Sequence, residues 1–111
     1  MSKEDFFESL LGKQDRPLFL APMEDVSDAP FRQICRNMGA SMVFTEFISS
    51  EALIRDSDIA LHKMSFKEAE RPLGIQIFGG REEAMYGAAK VADASNPDVV
   101  DINFGCPVYL S

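Results

Sequence analysis

The sequence predicts an α/β fold, the N-terminal half of a (β/α)8 TIM barrel, with four parallel strands and three crossover helices. Three observations lead there. First, short apolar runs alternate with helix-length segments in the order β-α-β-α-β-α-β: Leu18-Phe19-Leu20-Ala21, Met42-Val43-Phe44, Leu73 to Phe78, and Val99 to Ile102. Second, the runs are continuous rather than alternating. That is the pattern of strands buried on both faces, and it implies a parallel sheet with crossover helices. Third, polar or special residues stand at every strand end: Pro22 and Met23, Thr45 and Glu46, Gln76, then Asn103 and Cys106. An open doubly wound sheet competes with the barrel. However, no Gly-x-Gly-x-x-Gly follows the first run, as a dinucleotide fingerprint would require. Convergence of all strand ends on one face is the barrel arrangement. A barrel needs eight strands and about 250 residues. The 111 residues here supply four strands, so the expected division is a lead-in over 1–16 and a partial barrel domain over 17–111, truncated after the fourth strand.

In the lead-in, Phe6, Phe7, Leu10 and Leu11 have helical spacing and suggest a short helix resting on the body. Pro17 opens the first strand, and Pro22-Met23-Glu24-Asp25 turns out of it. Ser27 or Asp28 can cap the helix that follows, and Pro30 suits its first turn. Phe31, Ile34, Cys35 and Met38 recur at i, i+3, i+4, i+7 as one apolar stripe, which places Cys35 in the core. Gly39 ends that helix. The segment from about Ser50 to Met64 is helical or irregular with unclear ends. Gly79-Gly80 punctuates the third strand. A third helix runs from Arg81 to about Ser95, with Glu82 and Glu83 in the first turn, where the dipole favours them. Ala84, Ala88, Val91 and Ala92 line one face of it, and Asn96-Pro97 breaks it.

Composition limits the function classes. Hydrophobic residues make up 46% of the chain, which suits one globular unit. The formal net charge is -7, from 11 Lys+Arg against 18 Asp+Glu. On charge alone nucleic acid is not the expected partner, because phosphate binding needs concentrated Lys and Arg. Two cysteines and no secretion signal suggest a reducing, cytoplasmic setting. No apolar run approaches the roughly 18 residues of a membrane span. No Cys/His cluster has metal-ligand spacing, and His62, the only histidine, reads as a surface residue.

The chemistry concentrates in Asp101-Ile102-Asn103-Phe104-Gly105-Cys106-Pro107. A buried strand ends there in a rigid turn carrying a thiol. Gly105 permits close approach of a ligand, and Pro107 fixes the chain direction beyond the cysteine. Asn103 supplies a donor and an acceptor. Asp101, just before the strand end, reads as the partner of a group on a neighbouring strand. Gln76, on an otherwise apolar strand, needs a partner if buried.

At these residues the chain resembles the tRNA-dihydrouridine synthases, flavin enzymes on a (β/α)8 barrel. The matching pieces are Leu20 to Arg32, Phe44-Thr45-Glu46, Gln76-Ile77-Phe78-Gly79 and Asp101 to Pro107, in family order and spacing. The resemblance implies that reduced FMN passes a hydride to C6 of a uracil base in tRNA, while a cysteine protonates C5. NADPH is the implied reductant. On that basis Cys106 is the expected general acid. Pro22, Met23 and Glu24 form the loop whose backbone touches the flavin. Gln76 is a flavin hydrogen-bond partner, and Asn103 orients the flavin or the base. Family members usually follow Cys-Pro-Val with a basic pair; here Tyr109-Leu110-Ser111 follow instead. The downstream Lys and His that hold flavin and substrate, the phosphate-binding region and the helical tRNA-binding domain are not in this sequence. The fragment alone is therefore expected to be inactive. Two alternatives stand beside this reading. One is a fragment of another flavin-dependent barrel, interconverting dihydroorotate and orotate or reducing an enoate. The other is a non-catalytic half-barrel that self-associates through its open sheet edges.

Overall fold

The structure, a computed structural model, describes residues 2–12 and 16–105. Helix α1 (Lys3–Gly12) precedes the body. The body then runs α2 (Ala29–Asn37), β1 (Val43–Phe44), β2 (Ile48–Ser49), α3 (Ser50–Ile54), α4 (Asp58–Met64), a 3-10 turn (Glu68–Glu70), β3 (Leu73–Phe78), α5 (Glu82–Ala94) and β4 (Val99–Ile102).

All strand pairings are parallel. β1 and β2 lie along one edge of β3, at its start and its end, and β4 lies along the other. The expected second strand is thus one row in two pieces, broken at Thr45–Phe47. The break does not empty the ladder. Thr45 N–H still donates to the Gly74 carbonyl at 3.0 Å. The next ladder acceptor is the Thr45 hydroxyl, which takes the Gln76 N–H at 3.2 Å and donates to the Glu46 carbonyl at 2.8 Å. The expected first strand is reduced to a single parallel bridge, Phe19 to Met42, flanked by Leu20 N–H to Met42 O at 2.9 Å and Ser41 N–H to Leu18 O at 2.7 Å. Across the sheet the rows therefore follow chain order, and helices make the crossovers. This is an α/β fold in the arrangement of the first half of a (β/α)8 barrel.

β3 is the centre, with all six residues buried. Val43, Ile48, Leu53, Ile75 and Ile77 pack with Ala88 and Ala92 of α5. Small side chains on that face of α5 let the helix lie close to the sheet. Gly74 does the same within the sheet, where an added Cβ would meet the Phe44 ring at 2.5 Å.

The helix punctuation follows the sequence. Asp28 caps α2 by accepting the Phe31 N–H at 3.1 Å, and Gly39 leaves the helix at φ +107°. The second crossover is helical, but Asp56 at φ +54° divides it, and Ser57 caps the second piece.

The apolar stripe of α2 needs correcting. Cys35 does pack against the core, half-buried. Ile34 and Met38, however, are 59% and 83% exposed, and the one fully buried residue of α2 is Arg32. The helix turns this charge inward because the body supplies partners for it. Arg32 Nε meets Glu70 Oε1 at 2.5 Å, and its two terminal nitrogens donate to the carbonyls of Ser27 (2.8 Å) and Ser65 (3.1 Å). A guanidinium with these bonds satisfied is tolerated where an unpaired one is not.

Candidate active site at the C-terminal strand ends

Parallel register places Gln76 of β3 directly beside Asp101 of β4. Paired residues on neighbouring parallel strands point to the same face, and so does the residue two further along. Gln76, Asp101 and Asn103 therefore share one face, and their side chains meet. Gln76 Nε2 donates to Asp101 Oδ2 at 2.6 Å, and Asn103 Nδ2 donates to Gln76 Oε1 at 3.4 Å. The Gly105 N–H donates to Asn103 Oδ1 at 2.8 Å. Gln76 is only 8% exposed, so these are the partners its burial demands. Asn103 also continues the ladder, its N–H donating to the Ile77 carbonyl at 2.9 Å.

The loop after the first strand forms a second group. Its turn is tied by Ser27, whose hydroxyl accepts the Met23 N–H at 2.9 Å and donates to the Met23 carbonyl at 3.1 Å. The same carbonyl accepts the N–H groups of Val26 and Ser27. Asp25 sits in the left-handed region at φ +61°, which an Asp tolerates better than most side chains. Pro22 is half-buried, while Met23 is 36% exposed at the loop tip. Glu24 reaches Lys63 of α4 at 2.5 Å, and Lys63 lies 3.8 Å from Glu46 at the end of the second row. One ammonium thus joins the acids that follow the first two strand positions.

A third tie closes the rim. Arg81, just before α5, grips Glu51 of α3 through two bonds of 2.5 and 2.9 Å. The Arg81 hydrogen bonds hold the Glu51 carboxyl below the usual carboxylate range.

The structure thus brings Gln76 and Asn103 together and keeps Pro22, Met23 and Glu24 in a separate loop at the end of the first strand. Among the described residues no hydrogen bond joins the two groups. Cys106 lies outside the described residues. Asp101 is the cross-strand partner that its position before the strand end suggests. Lys63 was not legible from the sequence: it stands in a crossover without clear ends, and nothing local marks it as the bridge between Glu24 and Glu46.

Chemically, the face offers two side-chain amides, each with donors and an acceptor, beside one carboxylate. Such groups match the edges of a planar heterocycle carrying carbonyl and N–H groups. Among the described residues no cluster of His, Cys, Asp and Glu could hold a metal ion, and no helix is long and apolar enough to cross a membrane.

Comparison with known proteins narrows the chemistry. A family model described as dihydrouridine synthase matches residues 19–110. The chain is similar to a probable tRNA-dihydrouridine synthase of Aquifex aeolicus (strain VF5), 40% identical over 92 residues, which are 82% of this chain and 29% of that protein. It is 38% identical over 90 residues to tRNA-dihydrouridine synthase B of Pseudomonas syringae pv. tomato, covering 81% of this chain and 27% of that protein. A probable tRNA-dihydrouridine synthase of Treponema pallidum is 39% identical over 92 residues, covering 82% and 27%. The chain spans under a third of the length of these curated relatives.

Proposed function

This chain belongs to the dihydrouridine synthase family, and from that membership we propose that it contributes half of the active site of an FMN-dependent tRNA-uridine reductase. The overall reaction takes a uracil base in tRNA, NADPH and a proton to 5,6-dihydrouracil and NADP+. The observation that carries the reading is the family match over residues 19–110, which includes every strand end of the polar face.

The residues present fit a flavin. Gln76 and Asn103 are amides held by long or cross-strand bonds, and each keeps an N–H beyond those bonds for a ring carbonyl or nitrogen. When bound, reduced FMN supplies the hydride for C6 of the uracil. The Pro22–Glu24 loop, tied at Met23 by Ser27, presents backbone and an apolar side chain to the ring. Cys106 holds the proton destined for C5. A thiol with an ordinary pKa of about 8.5 is protonated near neutral pH and can donate. The target base leaves its stack to reach the site. Barrels of this kind take phosphate contacts from their last strands, which these residues do not include. The partners are accordingly tRNA and NADPH, met by the complete barrel in the cytoplasm. The four strands here are proposed to be inactive alone and to form a partial FMN-binding barrel domain over 17–111, with 1–16 as its lead-in.

The test is an assay of dihydrouridine in unmodified tRNA, with FMN and NADPH, using a chain extended to the length of the relatives. Formation of dihydrouridine, with turnover reduced roughly 100-fold or more by Cys106→Ala, is the expected result. An extended chain that binds no flavin and leaves tRNA unchanged would overturn the reading.

A further inference from the structure

The polar face contains a chain of hydrogen bonds whose direction is set by its ends. At one end is Asp101, whose ionised carboxylate can only accept. At the other is the backbone N–H of Gly105, which can only donate. Between them stand two side-chain amides, Gln76 and Asn103, and an amide can face either way. Both orientations would fill the same space, because amide oxygen and nitrogen are nearly equal in size. Only one is compatible with the ends. Because Asp101 Oδ2 accepts, Gln76 must turn its NH2 toward it, at 2.6 Å. Its oxygen then faces Asn103, which must offer its own NH2, at 3.4 Å. The Asn103 oxygen is left to face Gly105 N–H, at 2.8 Å.

We infer that Asp101 is the positioning residue of this site: its acceptor-only carboxylate fixes which way the Gln76 and Asn103 amides face, and through them it orders the backbone at Gly105. The consequence for flavin binding rests on the function proposed above; the relay itself does not. Gln76 is 8% exposed, so a reversed amide there has no water to repair its bonds. The bond to the carboxylate is the shortest of the three, and charge-assisted bonds are the strong ones. Asp101 therefore dictates and the amides follow. Strand register makes the arrangement rigid, because Gln76 and Asp101 are ladder partners and cannot slide apart without breaking β3 from β4. A ligand meeting Gln76 and Asn103 finds one donor-acceptor pattern rather than several.

The test reads the side-chain amide resonances of Gln76 and Asn103 by 15N NMR in the 111-residue chain, alongside FMN affinity. In the unmodified chain, nuclear Overhauser contacts should place the Gln76 NH2 beside Asp101 and the Asn103 NH2 beside Gln76. Asp101→Asn conserves shape but can donate, so it releases the constraint. Both amide pairs should shift or double while the backbone spectrum keeps its fold, and FMN affinity should fall roughly tenfold or more. Pairing D101N with Q76E restores an acceptor-only group facing Asn103. The Asn103 resonance should return toward its original position, while FMN affinity should not, since the Gln76 donor is gone. Amide contacts of opposite sense in the unmodified chain would overturn the inference, even if D101N failed to fold. So would D101N resonances and affinity equal to the original. If the unmodified chain and its extended form bind no flavin, the proposed function fails, and the amide resonances alone still decide the relay.

Discussion

A buried charge survives folding only when its partners are complete, and Arg32 shows what completion requires. The side chain is 2% exposed, and its partner Glu70 is 1% exposed. Glu70 spends its second oxygen on the Lys67 N–H at 2.8 Å, so neither ion is left with an empty side. Through the Ser27 carbonyl the pair also steadies the turn that fixes Met23. Removing one partner strands the other. Arg32→Met or Glu70→Gln should each cost about 3–5 kcal/mol in urea unfolding, whereas replacing both with apolar residues should cost clearly less than the sum. A smaller single-mutant loss would mean that water repairs the site. Glu51 behaves differently because it lies at the surface, half-buried rather than enclosed. Its carboxyl is held below its ordinary 4.5 by Arg81 hydrogen bonding, so the stabilisation is present above that value and is lost as pH falls through the lower folded-state pKa. Carbon-detected titration should put the Glu51 midpoint under 4.5 and raise it toward that value in Arg81→Gln, with Arg55 still lowering it slightly. The sequence disclosed these residues unevenly. Asp101 and Gln76 were legible because strand position alone predicts a cross-strand partner. Arg32 was not: an arginine beside Phe31 reads as solvated until Glu70, 38 residues away, is seen to meet it.

At the scale of elements, punctuation was legible and continuity was not. Asp28, Pro30 and Gly39 mark the ends of α2 by local chemistry, and the structure places the ends there. The second row is different. Its break at Thr45–Phe47 depends on a hydroxyl standing in for a carbonyl opposite Gln76, and no local pattern signals that exchange. The first strand fades to one bridge for a related reason, since Phe19 pairs only with Met42 and finds no row on its far side among the described residues. β3 holds the sheet together, and close approach of its neighbour depends on Gly74. A methyl there would stand 2.5 Å from the Phe44 ring, below any real contact. Phe44 is only half-buried, so its ring can yield, but it must leave its tilted contact with Phe19, 6.4 Å between centroids. Gly74→Ala should therefore destabilise by about 1–3 kcal/mol, read as a lowered melting temperature. An unchanged melt would mean that the Phe44 ring moves freely and that this corner of the sheet is not tightly packed.

The whole molecule has a sheet with two ends. Among the described residues β4 pairs only with β3, and the first-strand segment only with Met42, so two rows of backbone groups face outward. Open edges recruit further strands. Leu18, at 70% exposure, leaves an apolar side chain on one of those edges, and Ile34 and Met38 of α2 add exposed apolar area elsewhere on the surface. Apolar area of that kind favours association, while a net charge of -7 opposes it by repulsion between copies. Salt decides the balance, because it screens the repulsion within about 10 Å at 0.1 M without weakening burial. Sedimentation velocity of the 111-residue chain should thus show association that rises with concentration and rises again with added salt. Leu18→Lys, which adds a charge where an edge strand would dock, should suppress it. An extended chain with all eight barrel strands should not associate in this way, because its edges pair with each other. A salt-insensitive monomer with a cooperative melt would count against association, since it would show that the core around β3 is stable with both edges in water. The edges would then be sites waiting for the remaining strands rather than for a second copy.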